Sequence, residues 1–380
     1  MKKTFIILLA ALCACTQNQK TITDNPLPDW ALGGFIRPAD VNPIISPEPE
    51  SVFPCPMTDT LLAWESNDTF NPAATVYDGK IVVLYRAEDN SGQGIGSRTS
   101  RIGYAFSEDG ISFTREKAPV MYPDKDNQKE MEWTGGCEDP RVVMTEDGTY
   151  VMMYTQWNRK VPRLAVATSR DLKTWTKHGP AFEDAYKGRF FDEPTKSASI
   201  LTELKDGRLV VKQIDGRYFM YWGEKHVYAA VSDNLTDWTP LVEEDGSLRK
   251  LISPREGYFD SQLTECGPPA VWTDKGIVLM YNGKNCPEKG DKRYTPNVYA
   301  AGQVLFDHKD PTKVLARLDN PFFRPMDSFE KSGQYVDGTV FIEGLVFHQD
   351  KWFLYYGCAD SKVAVAVYDT NNKGYGDHLP

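Results

Sequence analysis

A pattern that recurs five times along the chain constrains its fold more than any other feature. Each unit has a short apolar run, a turn such as Asp-Gly, a strongly apolar run rich in aromatic residues, and a third run. The units begin with NPAATVYDGKIVVLYRAED, EDPRVVMTEDGTYVMMYTQW, KSASILTELKDGRLVV, CGPPAVWTDKGIVLMYNGK and VFIEGLVFHQDKWFLYYG. Repeats of this kind bury their faces against their neighbours, so the units are expected to fold together.

The pattern within each unit is typical of β-strands. Asp-Gly between two apolar runs is a strong signal for a β-hairpin, and long stretches of helical periodicity are missing. The sequence therefore predicts an all-β, five-bladed β-propeller of four-stranded antiparallel blades, formed by residues 31–380 as a single catalytic domain. Phe113, Trp175 and Trp238 occupy the same place in their units and are expected to pack between neighbouring blades.

The first residues have the features of an export signal. Lys2 and Lys3 precede a short apolar run, and Leu-Cys-Ala-Cys ending at Cys15 is similar to a bacterial lipobox. We expect residues 1–14 to be a lipoprotein signal peptide, Cys15 to carry the lipid, and residues 15–30 to form a flexible tether. The protein would then be anchored in the bacterial envelope, in the periplasm or at the outer-membrane surface. A plain signal peptide cleaved nearby is the alternative.

Charge and composition exclude several classes of partner. The formal net charge of −10 becomes about −12 without Lys2 and Lys3, which disfavours nucleic acid as a partner. No later stretch reaches the ~18 apolar residues of a membrane span, so we expect membrane contact only through the lipid anchor. Five histidines without HExxH, and cysteines without CxxC, predict neither a metal site nor a cofactor. Buried free thiols are expected, with pairing of Cys266 and Cys286 left open.

The inner strands of a propeller meet at its axis, so polar residues at their ends should converge there. The candidates are Asn71, Arg86, Asp89, Glu138, Asp139, Arg141, Lys196, Glu224, Glu265, Asn282, Asp337, Glu343 and Asp360. Carboxylates among cations suit the cleavage of glycosidic bonds, and structural ion pairs are the alternative. Aromatic faces for sugar rings could come from Trp64, Trp133, Trp157, Trp222, Tyr154 and Tyr221.

Several segments together resemble glycoside hydrolase family 130, the mannoside phosphorylases and their relatives. The resemblance covers residues 60–370 and lies in FNPAATVYDGKIVVLYRAED, GCEDPRVV, TKSASI, GPPAVWTDKGIVLMYNG, DHKDPTKVLAR and YYGCADSKVAVA. It implies a β-mannoside as substrate, and a mannose-containing oligosaccharide as the partner of the site.

Three positions depart from the phosphorylases of that family. Those enzymes typically have Tyr-His-Gly where this chain has Asn282, an Arg where it has Glu224, and an apolar or small residue where it has Glu265. A carboxylate about 4 Å from phosphate is repelled by several kcal/mol, so the exchange should abolish phosphate binding. The pattern is similar to the subgroup that hydrolyses β-1,2-mannosides of the yeast-mannan type.

The resemblance implies an inverting mechanism, and the extended loops 181–195 and 284–297 favour exo action. Glu224 and Glu265 would together activate a water molecule, and Asp139 would supply the proton through a sugar hydroxyl. The remaining candidates, among them Asn71, Arg86, Arg141, Lys196 and Asp360, would bind the terminal mannose. Two alternatives stay open: a phosphorylase that makes mannose 1-phosphate, and a carbohydrate-binding propeller without catalysis. The oligomeric state is not predicted.

Overall fold

The computed structural model describes residues 26–371 and confirms an all-β chain. Within this range the helices are single turns, at Lys129–Glu132 and Ser328–Lys331. None of the described helices is long and apolar enough to cross a membrane. Cys15, the expected signal peptide and most of the expected tether lie outside the described residues.

The strands form a short hairpin and five successive antiparallel groups. The hairpin consists of β1 (Val52–Cys55) and β2 (Thr60–Ala63). The first group is β3 (Asp68–Tyr77), β4 (Lys80–Glu88), β5 (Ser100–Ser107) and β6 (Thr114–Arg115). The second is β7 (Gly136–Met144), β8 (Tyr150–Trp157), β9 (Pro162–Ser169) and β10 (Thr176–Pro180).

The remaining groups follow in chain order. The third is β11 (Ala198–Lys205), β12 (Arg208–Val211), β13 (Gln213–Ile214), β14 (Arg217–Trp222), β15 (Tyr228–Ser232) and β16 (Trp238–Pro240). The fourth is β17 (Leu263–Cys266), β18 (Ala270–Trp272), β19 (Ile277–Lys284), β20 (Tyr299–Phe306) and β21 (Val314–Arg317). The fifth is β22 (Val340–His348), β23 (Lys351–Cys358) and β24 (Lys362–Asp369).

Asp-Gly turns connect strands where the sequence predicts hairpins. At 78–79, which joins β3 to β4, both residues have positive φ, 48° and 71°. The same holds at 206–207, between β11 and β12, and at 215–216, between β13 and β14. Two consecutive residues of positive φ give the turn a twist that matches paired strands, and Asp followed by Gly tolerates this conformation best.

Apolar side chains fill the space between successive groups. Separate buried clusters join the first group to the second, the second to the third, the third to the fourth, and the fourth to the fifth. A further cluster joins the fifth group to the first, where Phe113 meets Tyr355 edge to face. Trp238 and Trp175 pack in or against two of these clusters, as their repeat position predicts.

The N-terminal segment completes the edge of the fifth group. Ile36 pairs with Val367 and Ile45 with Val363, so residues before the first group lie along β24. All five cysteines of the described range are free thiols, Cys266 and Cys286 among them. Neighbouring groups are also joined by parallel pairing, of β11 with β18 between the third and fourth groups and of β5 with β7 between the first and second.

Candidate active site

A cavity of about 310 Å³ is lined by residues from all five groups. The predicted residues in its wall are Asn71, Arg86, Glu138, Asp139, Lys196, Glu224, Glu265 and Asp360. Trp157, one of the aromatic candidates, also lines it, and the others are Phe70, Glu88, Ile95, Gly96, Pro162, Tyr299, Gln334, Tyr335 and Phe341. The repeat therefore brings together residues that lie far apart in the sequence.

Irregular backbone presents several of these side chains. Asn71, Asp139 and Asp360 have φ of 46°, 48° and 50°, in the left-handed region that costs a non-glycine residue about 1–3 kcal/mol. The strand pairing also shifts register at Asn71 in β3 and at Asp139 in β7. Pro72 and Pro140 follow, and proline, which cannot donate to a ladder, is tolerated at such bulges. A bulge redirects the side chain, here into the cavity.

Asp139 is a buried carboxylate of the cavity wall, with only 3% of its surface exposed. Its Oδ1 accepts hydrogen bonds from Asn71 Nδ2 and Arg86 Nη1, each at 2.9 Å. Lys196 Nζ lies 3.3 Å from its Oδ2. Both oxygens of this carboxylate therefore face a cation.

Arg86 organises the rest of this side. Its Nη2 contacts Glu88 at 2.7 Å and Glu138 at 2.8 Å, and its Nε donates to Ser100 Oγ at 3.0 Å. Its guanidinium also lies over the ring of Phe70, 4.7 Å from the centroid. One buried cation thus compensates three carboxylates, counting Asp139. We call Asn71, Arg86, Glu88, Glu138, Asp139 and Asp360 the ion-paired side.

The third and fourth groups contribute Glu224 and Glu265 to the wall of the cavity. Backbone hydrogen bonds align their segments: Thr264 N donates to Glu224 O at 3.2 Å, and Cys266 N donates to Gly223 O at 3.1 Å. Glu265 is 3% exposed and accepts a hydrogen bond from Ser197 Oγ, whereas the Glu224 side chain is exposed. We call these two glutamates the glutamate side. Lys196 lies between the two sides.

The carboxyl groups of the cavity differ in pKa because their burial and their neighbouring charges differ. Burial opposes ionisation of Asp139, but Arg86, Lys196 and Arg141 outweigh it and hold its pKa well below the usual range. Burial raises the pKa of Glu138 to about 7 against the attraction of Arg86. Burial likewise raises the pKa of Asp360 to about 7.

Glu265 also titrates near neutrality. Burial raises its pKa to about 7, Lys196 opposes the rise, and Glu224 adds to it. A carboxyl with a pKa near the working pH can both take up and release a proton, which general acid–base chemistry requires. Asp139, by contrast, has a lowered pKa and is an ionised carboxylate at neutral pH.

Two predicted substrate contacts, Asp89 and Asp337, do not line the cavity. Asp89 is buried in an ion pair with Arg101 at 2.6 Å, so its carboxylate is already compensated outside the cavity. Asp337 is exposed on the segment that precedes β22. Neither position follows the bulged geometry that turns Asn71 and Asp139 inward.

Asn282 and Arg141 lie beneath the cavity and not in its wall. The Asn282 side chain is consumed by the backbone of Ile342, accepting from its N at 2.8 Å and donating to its O at 3.1 Å. Arg141 is 2% exposed and donates to backbone carbonyls. The predicted contacts of these two residues with substrate are therefore not supported, because their donors already have partners.

The aromatic part of the wall was largely missed by sequence reasoning. Of the aromatic candidates, Trp157 lines the cavity, and its Nε1 donates to Gly96 O at 3.0 Å. Those that do not are Trp64, Trp133, Trp222, Tyr154 and Tyr221. Tyr335 and Phe341 pack edge to face on Tyr299, with centroids 5.6 and 6.0 Å away. The only signal for Tyr299 was its place at the start of a repeat strand.

An all-β chain that gathers carboxylates, two cations and aromatic faces around one cavity has the site of a carbohydrate-active enzyme. A family model described as β-1,4-mannooligosaccharide phosphorylase matches residues 47–372. This protein belongs to glycoside hydrolase family 130.

The proteins that this chain is similar to include a named phosphorylase and named glycoside hydrolases. A curated 1,2-β-oligomannan phosphorylase from Thermoanaerobacter is 34% identical over 80% of this chain and 91% of its own. A solved structure from a study of family members that hydrolyse β-1,2-mannosidic linkages in Candida mannan is 69% identical, with a TM-score of 0.91. A glycosyl hydrolase from Bacteroides ovatus shows the same identity and TM-score. Each of the two structures covers 94% of this chain and 99% of its own.

Proposed function

We propose that this protein is an inverting, exo-acting hydrolase that releases mannose from β-1,2-linked mannosides. The observation that carries the proposal is the glutamate side, where Glu224 and Glu265 lie on adjacent backbone segments of one cavity wall. The relatives named for β-1,2-mannosides support the linkage, and the one named for hydrolysis in Candida mannan supports the reaction and a yeast-mannan type of substrate.

The charge of the glutamate side favours water over phosphate as the second substrate. Two carboxylates at about 4 Å would each repel a phosphate by roughly 4 kcal/mol or more at an effective dielectric of 20. The same carboxylates can hold a water molecule and take its proton, and Glu265 has a pKa of about 7. The negative charge of Glu224 adds to the rise in the pKa of Glu265, which favours uptake of the proton by Glu265.

The ion-paired side binds the mannose and supplies the proton. Asn71, Arg86 and Lys196 hold Asp139, which contacts a sugar hydroxyl. Because Arg86 and Lys196 keep Asp139 ionised, the proton that reaches the leaving oxygen comes from the carboxyl cluster as a whole, in which burial raises the pKa values of Glu138 and Asp360 to about 7. The hydroxyl passes its proton to the leaving oxygen and recovers one from this cluster.

Architecture and location belong to the same proposal. The five groups are the blades of a five-bladed β-propeller within one domain, which the apolar clusters between successive groups, and between the fifth and the first, support. The signal-like N-terminus and Cys15 support a location in the bacterial envelope, where phosphorolysis would lose mannose 1-phosphate to the surroundings.

The deciding experiment incubates the purified protein with β-1,2-mannobiose, once with inorganic phosphate and once without it. Mannose released at equal rates in both is the expected result, and the first-formed mannose should be the α-anomer by proton NMR, since inversion converts a β-linkage to an α-product. Release of the β-anomer would contradict inversion. β-1,4-Mannobiose, the linkage in the family description, should be cleaved far more slowly.

A phosphorylase is the second candidate, because the curated relative at 34% identity is one and because Lys196 could attract an anion. Mannose 1-phosphate formed only when phosphate is present would establish it. That result would also remove the role given to Glu224 and Glu265 in water activation.

A further inference from the structure

Arg141 lies directly beneath the cavity and contacts the segments that carry both Asp139 and Glu265. Its Nη1 donates to Asp139 O at 3.1 Å and its Nη2 to Cys266 O at 2.9 Å. Its Nε donates to Gly267 O at 3.3 Å. Cys266 is the residue after Glu265. One guanidinium therefore joins the backbone of β7 to the end of β17.

These carbonyls need a donor because the local backbone is irregular. The pairing of β7 with β8 shifts register between Glu138 and Arg141, which turns the chain at Asp139 out of the regular ladder. A buried carbonyl without a donor is costly, so the contact with Arg141 also decides where Asp139 lies. The guanidinium is rigid and presents several donors in one plane, which lets it hold both segments at once.

Glu343 holds Arg141 from the fifth group. It is fully buried at a register shift in β22, and its Oε1 lies 3.0 Å from Arg141 Nη2, although not in hydrogen-bonding geometry. The neighbouring Ile342 is held by Asn282, and Asn282 is the residue opposite Glu265 in the pairing of β17 with β19. A continuous series of contacts therefore links Glu265 to Asp139. It runs through β22 and Arg141.

We propose that Arg141 and Glu343 are positioning residues that fix the span between Asp139 and Glu265. The proposal rests on the proposed function, in which these two carboxyl groups act on opposite faces of the sugar. An inverting site must keep its carboxyl groups far enough apart to admit water, and a displacement of about 1 Å can cost roughly 100-fold in rate. Neither Arg141 nor Glu343 lines the cavity, so neither needs to contact the substrate.

Arg141→Lys tests the proposal because it keeps the charge and loses the three-carbonyl contact. We expect kcat on β-1,2-mannobiose to fall about 10- to 100-fold, with KM changed less than about threefold. The acid limb of the kcat profile should stay within about 0.3 pH unit, since the charge felt by Glu265 is retained. Arg101→Lys is the matched control, because Arg101 is 1% exposed and ion-paired outside the cavity. Its kcat should equal that of the wild type.

Glu343→Ala provides a second, independent variant. It frees Arg141 on one side, and we expect kcat to fall about 10-fold with KM nearly unchanged. Glu132→Ala is its control, since Glu132 is equally buried and ion-paired with Lys177 away from the cavity. Both variants and both controls are checked for folding by circular dichroism and thermal unfolding.

Several outcomes would overturn the proposal. Wild-type kcat in folded Arg141→Lys or Glu343→Ala would do so, and so would a raised KM with unchanged kcat, which is the signature of a substrate contact. Failure of both variants to fold while both controls fold would assign the pair to the stability of the fold. An inactive wild-type protein would instead refute the proposed function, which keeps the two failures distinct.

Discussion

The two sides of the cavity differ in how their charges are compensated. On the ion-paired side, the single guanidinium of Arg86 contacts all three of Glu88, Glu138 and Asp139 at 2.7–2.9 Å. All of these side chains are buried. On the glutamate side, Glu224 is exposed and takes part in no ion pair of the described residues, and Glu265 has a serine as its direct hydrogen-bond donor.

This difference gives the two sides different roles. The ion-paired side is a rigid frame, and the glutamate side is the reactive surface. Breaking buried ion pairs is costly, so the ion-paired side should keep one geometry whatever the second substrate is. The glutamate side has no arginine partner among the described residues in the wall of the cavity, and the sequence resemblance predicts that the difference from the phosphorylases lies there. The choice between water and phosphate is therefore expected to depend on Glu224 and Glu265. The binding of mannose is expected to depend on the ion-paired side.

Glu265→Gln should have the largest effect on activity. The amide keeps the size of the side chain but cannot take a proton, so kcat should fall about 1,000-fold or more, in the range that general base catalysis contributes. Mannose release from β-1,2-mannobiose measures it. Glu132→Gln is the control, being a buried glutamate that does not line the cavity. A variant that retains a tenth of the wild-type kcat would show that Glu265 is not the base.

Arg86→Met should have the largest effect on stability. It leaves Glu88, Glu138 and Asp139 buried without their shared cation, and we expect a loss of about 3–5 kcal/mol in the free energy of unfolding at pH 7. Urea unfolding measures this loss.

The same comparison can be made across the cavity. Lys196→Met should cost less, because the Lys196 side chain is 21% exposed and solvent can replace part of its charge. For Arg86→Met the loss should shrink at pH 5, where protonation removes the uncompensated charges. An equal loss in the two variants would contradict the distinction between a frame and a reactive surface.

Glu224→Gln should shift the pH dependence of the residual activity. Burial raises the pKa of Glu265 to about 7, and the negative charge of Glu224 contributes to the rise. Without that charge, ionised Glu265 is less costly, so its pKa falls and the acid limb of kcat/KM should move down by about one pH unit. Profiles of kcat/KM between pH 4 and 9 measure the shift, since they extend about two units or more to either side of the pKa of Glu265. A limb that moves upward would contradict the assignment of the limb to Glu265.

The sequence predicted the parts of the fold and site that follow from the repeat. Apolar runs around Asp-Gly predicted the hairpins, and equivalent strand ends predicted that Asn71, Asp139 and Glu265 would meet. The placement of Arg141 and Asn282 could not be predicted in the same way. A side chain's face follows from strict alternation along a strand, and a bulge near Asp139 breaks that alternation.

The aromatic wall shows a second limit of sequence reasoning. Tyr335 and Ile95 come from connecting segments that differ from unit to unit, so no equivalence between repeats points to them. The pKa values also depend on burial and on the distances between charges. The sequence suggested Asp139 as the acid, but the contacts of its carboxylate with Arg86 and Lys196, which lower its pKa, appear only in the structure.

Asp337→Asn should have the smallest effect and tests the limit of the ion-paired side. Asp337 is exposed and outside the cavity, so kcat/KM should stay within about twofold of the wild type, as for most surface substitutions. Asp360→Asn is the matched change inside the cavity, and it should lower kcat/KM by about 10-fold or more because it removes a titrating carboxyl from the cluster. If Asp337→Asn lowers kcat/KM as much as Asp360→Asn does, the segment before β22 must close over the bound sugar. The binding surface would then extend beyond the cavity of the ligand-free structure.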